Sequence, residues 1–167
     1  LVKMDPATYQ DYLVYEGKSP VLYVQVLRAI YGMFISGLLF YKKLRKDFES
    51  KSVQLIGICA NDPTDYPEDS PENLKKHALA KEYGFPYLVD DTQEVAKAYD
   101  AVCTPDIYVY DQDRKLAYHG RIDDNWKDAS KVKKHDLRDA ILAILEGQAP
   151  AEPQFTSMGC SIKWKKS

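Results

Sequence analysis

The chain has 167 residues, 45% of them hydrophobic and 29% charged, with a formal net charge of -2 at pH 7. Those values fit one globular domain with a real core, exclude a disordered chain, and leave no basic face for nucleic acid. The three cysteines, Cys59, Cys103 and Cys160, are too few and too far apart for a disulfide framework, a CxxC redox motif or a zinc ribbon, and they leave the redox compartment open.

In chain order, residues 1–20 read as a polar and aromatic N-terminal arm with one helical turn near Ala7 to Tyr12. The chain begins at Leu1, which suggests a mature form or a fragment whose targeting peptide is already gone; an organellar location is compatible with that, and the compartment stays undetermined. Val21 to Val26 is β-branched and aromatic, a short buried strand. From Arg28 to Glu49 the pattern becomes helical, with apolar positions at Tyr41, Leu44 and Phe48. The stretch from Val21 to Tyr41 is long and apolar enough to suggest a membrane span. Arg28, about a third of the way along, is costly in lipid, and a strand followed by a helix is the better reading.

Val53 to Cys59 is a second buried strand, followed by a loop of Asn, Asp, Pro and Ser from Asn61 to Pro71. Ser70 before Pro71 predicts an N-cap and a helix running to about Tyr83, stopped by Gly84. Phe85 to Val89 is a strand, and Thr92 to Tyr99 a short helix. Ile107 to Tyr110 and Lys115 to Gly120 pair as a hairpin through the turn Asp111 to Arg114. After a polar loop, Asp136 to Leu145 is an amphipathic helix with Leu137, Ile141, Leu142 and Leu145 on one face, ended by Gly147. The remainder reads as an irregular tail over residues 148–167 that packs on a domain spanning 21–147.

The order β-α-β-α-β-α-β-β-α predicts an α/β fold: a thioredoxin-like three-layer sandwich, with a mixed sheet and helices on both faces. Several motifs point the same way. They are Asn61-Asp62 with Tyr66 to Pro71, the run 85–99, Cys103-Thr104-Pro105-Asp106, the run 113–126, Asp136-Leu137-Arg138 and the tail Gly159 to Lys165. On these motifs the chain resembles the peroxiredoxin-like branch of the thioredoxin family, related to alkyl hydroperoxide reductase and thiol-specific antioxidant proteins. The resemblance implies that Thr104 and a cis Pro105 face the active site. It also implies a Cys-Asn-His-Cys-Pro segment at the N-terminus of the first long helix, where the helix end lowers a thiol pKa.

That segment is missing. An ungapped count back from Val53 puts it at Arg28, Ala29, Ile30, Tyr31 and Gly32, and no cysteine occurs before Cys59. Dithiol exchange needs an attacking and a resolving thiol, so the site is predicted to be vestigial. The helix that follows is apolar nearly all round, through Met33, Phe34, Ile35, Leu38, Leu39 and Phe40. Such a helix needs a cover on both sides. Another protein subunit is the favoured cover, ahead of the chain's own termini, with a membrane surface less favoured. Gly32, Ser36 and Gly37 suit close approach of a second helix.

Cys103 and Cys59 are the candidate catalytic thiols if any exchange survives, with His119 or His77 as conceivable neighbours; packing as small buried hydrophobes is the plainer reading. Cys160 reads as structural. Asp123, Asp124, Asn125 and Trp126 form a turn rather than a metal site, and Lys163, Lys165 and Lys166 read as solvated. The sequence implies no cofactor and no metal. The expected function is a redox-inactive thioredoxin-like module in a larger complex; the alternative is a thiol oxidoreductase or peroxiredoxin-like antioxidant using Cys103 or Cys59.

Overall fold

The computed structural model describes residues 22–27, 41, 42, 44–48, 50–125 and 128–166. Five strands form one mixed sheet in the order β3-β2-β1-β4-β5. They are β1 (Leu22–Leu27), β2 (Val53–Cys59), β3 (Tyr87–Val89), β4 (Asp106–Tyr110) and β5 (Leu116–His119). β1 runs parallel to β2 and β2 parallel to β3, while β1 with β4 and β4 with β5 are antiparallel. The helices are α1 (described at residues 41, 42 and 44–48), α2 (Pro71–Ala80), α3 (Glu94–Ala98) and α4 (Asp136–Leu145).

Alternation along the strands divides the core into two layers. Leu55 of β2 and Ile107 and Val109 of β4 face one side, where they meet Leu44 and Phe48 of α1 and Leu137, Ala140 and Ile141 of α4. Ile58 of β2 and Tyr108 of β4 face the other, against Ala96 of α3, Ala60, Ala101 and Ile162 of the C-terminal segment. Leu137 and Ile141 are fully buried, and each such side chain contributes about 2–3 kcal/mol of transfer free energy. The 3–4 spacing of Tyr41, Leu44 and Phe48 therefore marks the face that packs on the sheet.

Two local expectations change. Ser70 occupies the N-cap position of α2, but its side chain makes no capping bond; its carbonyl accepts from Leu74 N–H at 2.9 Å, and Pro71 fills the first turn. α2 also stops at Ala80 rather than Tyr83, because Glu82 itself turns left-handed (φ 49°) two residues before Gly84 (φ 66°). The hairpin turn has a simple cause: the Asp111 carboxylate accepts from the N–H groups of both Asp113 and Lys115 at 2.9 Å, and Arg114 takes φ 61°. Among the described residues no helix is long and apolar enough to cross a membrane.

Candidate functional site

The end of β1 sets the location. Leu27 pairs with Ile58 of β2 on one side and Asp106 of β4 on the other. The chain thus leaves β1 where β4 enters the sheet, next to the Thr104–Pro105 peptide bond, which is cis. Cys103 lies in the bend just before. It is buried, and its Sγ donates to the Pro105 carbonyl at 3.4 Å. Burial, then the charge of Asp106, then Cys160, push its thiol up to about 11. Thiolate is the nucleophilic form, and at that value about one thiol in ten thousand is ionised at neutral pH.

Asp106 is completely buried. A buried carboxylate must be satisfied by donors, and three converge on it. Val102 N–H donates to Oδ2 at 3.1 Å, the Tyr108 hydroxyl lies 3.0 Å from the same oxygen, and His119 Nε2 lies 2.8 Å from Oδ1. A carboxylate accepts at both oxygens, so Nε2 of His119 is the donor. The Tyr108 hydroxyl also lies 3.0 Å from the Tyr99 carbonyl; having one proton, it donates to one partner at a time. The His119 ring stacks on Tyr108 with centroids 4.2 Å apart. Burial and the Asp106 charge push the Tyr108 phenol far above its ordinary value. The group is a locked hydrogen-bonded cluster beneath the cis-proline loop, suited to holding that loop rather than to exchanging protons with a substrate.

The C-terminal segment covers the same edge. Thr104 and Cys160 form an antiparallel bridge: Thr104 N–H donates to the Cys160 carbonyl at 2.8 Å and Cys160 N–H to the Thr104 carbonyl at 3.1 Å. The Thr104 hydroxyl adds a bond to the Cys160 carbonyl at 3.2 Å. At Gly159 a Cβ would collide with the Thr104 carbonyl, so glycine is needed for this approach. Farther along, Ile162 is buried and Gln93 clamps the backbone: its Nε2 donates to the carbonyls of Ala60 (2.6 Å) and Lys163 (2.8 Å), and its Oε1 accepts from Lys165 N–H (2.8 Å). Asn61 Oδ1 accepts from Lys163 N–H at 3.0 Å, and its amide donates to buried Asp69 at 2.9 Å.

Residues 38–119 match the AhpC/TSA family. The chain is 45% identical to an uncharacterized conserved protein from Geobacillus kaustophilus, over 90% of this chain and 80% of that one, with a TM-score of 0.81. The chain is a thioredoxin-fold, AhpC/TSA-related protein. A hypothetical protein from Sinorhizobium meliloti is 36% identical over 89% of this chain and 82% of its own, with a TM-score of 0.78. A putative DsbE thiol:disulfide interchange protein from Chlorobium tepidum, at 15% identity over 76% of this chain and 82% of its own, shares the thioredoxin-like fold with a TM-score of 0.58. No curated protein matches the chain.

Within this AhpC/TSA-related chain the candidates from the sequence separate. Thr104, Pro105, Cys103 and His119 gather at one end of β4. Cys59 does not join them: β1 lies between β2 and β4, so pairing Cys59 with Cys103 would span two strand spacings, about 10 Å, beyond disulfide reach. His77 sits on α2, in the connection from β2 to β3. Arg28, Ala29, Ile30 and Tyr31, and the partner-contact candidates Met33, Phe34, Ile35, Leu38, Leu39 and Phe40, lie outside the described residues. So does Trp126.

Asp123 and Asp124 cap their own loop, accepting from the N–H groups of Asn125 and Lys133. Among the described residues no group of three acidic, His or Cys side chains is arranged for a metal. The side chains of Lys165 and Lys166 are exposed, and the backbone of Lys163 and Lys165 carries the contacts to Asn61 and Gln93. The side chains of Lys165 and Lys166 pair at the surface with Asp91 (3.1 Å) and Asp65 (2.8 Å). Asp106, Gln93 and Asn61 were the positions without an assigned role. An aspartate opening an apolar strand, Asp-Ile-Tyr-Val-Tyr, was the available signal for the first.

Proposed function

We propose that this AhpC/TSA-related chain has left dithiol chemistry and works as a thioredoxin-fold module in a larger protein assembly. The observation that carries the reading is the state of Cys103, whose sequence position places it at Pro105. Its thiol is buried, directed at the Pro105 carbonyl and pushed up to about 11. Two further features support it. No cysteine precedes Cys59, so the sequence between β1 and β2 supplies no thiol nucleophile. The backbone N–H and carbonyl of Thr104 are both engaged by Cys160. The assembly part rests on the apolar sequence from Met33 to Phe40.

The match of residues 38–119 to the AhpC/TSA family favours the second reading, a thiol oxidoreductase or peroxidase working through Cys103 or Cys59. Disulfide-reductase and hydroperoxide-reductase assays on the wild type and on Cys103→Ser and Cys59→Ser separate the two. The proposal expects no turnover above buffer in either assay. Turnover abolished by one of these substitutions would overturn it. For assembly, sedimentation or light scattering of the purified chain expects association; a monodisperse monomer over a wide concentration range would overturn that part.

A further inference from the structure

We propose that Cys103 and Cys160 are an oxidisable thiol pair, brought together by the Thr104–Cys160 bridge, that closes to a disulfide tying the C-terminal segment across the cis-proline loop. The two cysteines are 57 positions apart in sequence, and the fold makes them neighbours. In an antiparallel bridge with both hydrogen bonds made, paired Cα atoms lie about 5.5 Å apart. One residue along the chain adds a step of about 3.4 Å roughly at right angles. The Cα atoms of Cys103 and Cys160 are therefore about 6–7 Å apart, at the upper end of the span a disulfide bridges, roughly 4.4–6.8 Å.

Cys103 lies in a bend rather than a strand, so its side chain is not bound to the pleat that would turn it away from its diagonal neighbour. Both residues are thiols in this structure, and Cys160 is partly exposed while Cys103 is buried. The contribution of Cys160 to the raised Cys103 pKa is a second sign that the sulfurs are close. This pairing differs from the Cys59–Cys103 pair that the sequence suggests, which β1 keeps apart.

The oxidant is a low-molecular-weight disulfide. The Cys160 thiolate, the accessible one, attacks it, forms a mixed disulfide and releases one small thiol. The Cys103 thiolate then attacks the Cys160 sulfur and releases the second. In sum, two protein thiols lose two protons and two electrons, and the small disulfide is reduced to two thiols. The second step is limited by the protonated state of Cys103, so closure accelerates about tenfold per pH unit from pH 7 to 10. The device is a slow clamp rather than a catalytic centre, and it holds whether or not the assembly reading does.

The test uses the full chain with glutathione disulfide as the probe. Free thiols are counted under denaturing conditions, and linkages are mapped by mass spectrometry of non-reduced peptides. The wild type and Cys59→Ser are expected to lose two thiols and yield a peptide joining Cys103 to Cys160 within one chain. Cys103→Ser is expected to stop at a mixed disulfide on Cys160. The closed form is expected to melt on the order of 5 °C higher than the reduced form. The proposal is overturned if all three thiols survive, if the link maps to Cys59 or between chains, or if the wild type also stops at the mixed disulfide. The wild-type map decides the matter should a variant fail to fold.

Discussion

Replacing Asp106 with alanine removes at once the acceptor for Val102 N–H, the Tyr108 hydroxyl and His119 Nε2. The three losses are unequal. Tyr108 keeps a full partner in the Tyr99 carbonyl, 3.0 Å away. The His119 side chain is 37% exposed and can turn its nitrogen to water. The Val102 N–H loses the Oδ2 acceptor that it meets at 3.1 Å. A hydrogen bond to a charged group is worth roughly 1.5–3 kcal/mol, and an unsatisfied buried donor costs roughly 1–3 kcal/mol. Removing the buried carboxylate also relieves its own desolvation, which offsets part of the loss. The net destabilisation is about 3 kcal/mol, which lowers Tm by roughly 6–12 °C for a chain of this size. Asp106→Asn keeps the shape and one acceptor, and a neutral His119 can offer its Nε2 lone pair to the new amide. That variant should lose only about 1 kcal/mol, close to the net worth of one ordinary hydrogen bond. Thermal unfolding at pH 7.5 followed by circular dichroism reads both shifts. An alanine variant melting within about 2 °C of the wild type would refute the account of a buried, three-donor carboxylate.

Gly159→Val should push the C-terminal segment off Thr104 and cost about 1–3 kcal/mol, visible as faster amide exchange at Thr104 and Cys160; unchanged exchange there would contradict the close approach. Gln93→Ala removes three bonds to Ala60, Lys163 and Lys165, and is expected to cost about 2–3 kcal/mol, with the Lys165 amide losing protection first. Stability should also fall in alkali. Burial raises the Cys103 thiol from 9.0 to about 11 and lifts the phenols of Tyr110 and Tyr118 above their ordinary value. Above pH 9 the unfolded chain has released protons that the folded chain still holds, so stability is intact below pH 9 and declines across pH 9 to 11 and beyond. Urea midpoints that stay flat between pH 8 and pH 10.5 would contradict this.

Much of the fold is written locally. The β-branched run Val53–Cys59 and the heptad-like spacing of Leu137 and Ile141 are each decided by neighbours within a few residues, and both elements stand where the pattern puts them. The hairpin is equally local, because Asp111 binds its own turn. Less legible were features decided at a distance. The segment after Gly147 reads as an irregular tail because it pairs with Thr104, Asn61 and Gln93, partners 56 to 102 positions away. Asp106 belongs to a visible motif, and Val102 and Tyr108 lie within four residues of it, but its third donor, His119, comes from β5, whose register no local pattern states. Ser70 shows the opposite error, a residue of the right type in the capping position whose hydroxyl goes unused there.

The reach of the Gln93 and Asn61 clamps has a consequence for biosynthesis. Chain synthesis runs from the N-terminus, and domains settle as they emerge. Asn61 and Gln93 are translated long before Lys163 and Lys165, their backbone partners. The nascent sheet must therefore wait with Asn61 Oδ1 and Gln93 Oε1, which accept from the tail, facing water until residues 159–165 clear the ribosome. Only then can the loop after β2 and the turn before α3 be drawn together, so a pause or stop codon upstream of Gly159 would release a chain whose sheet is complete but whose upper edge is still unbuttoned.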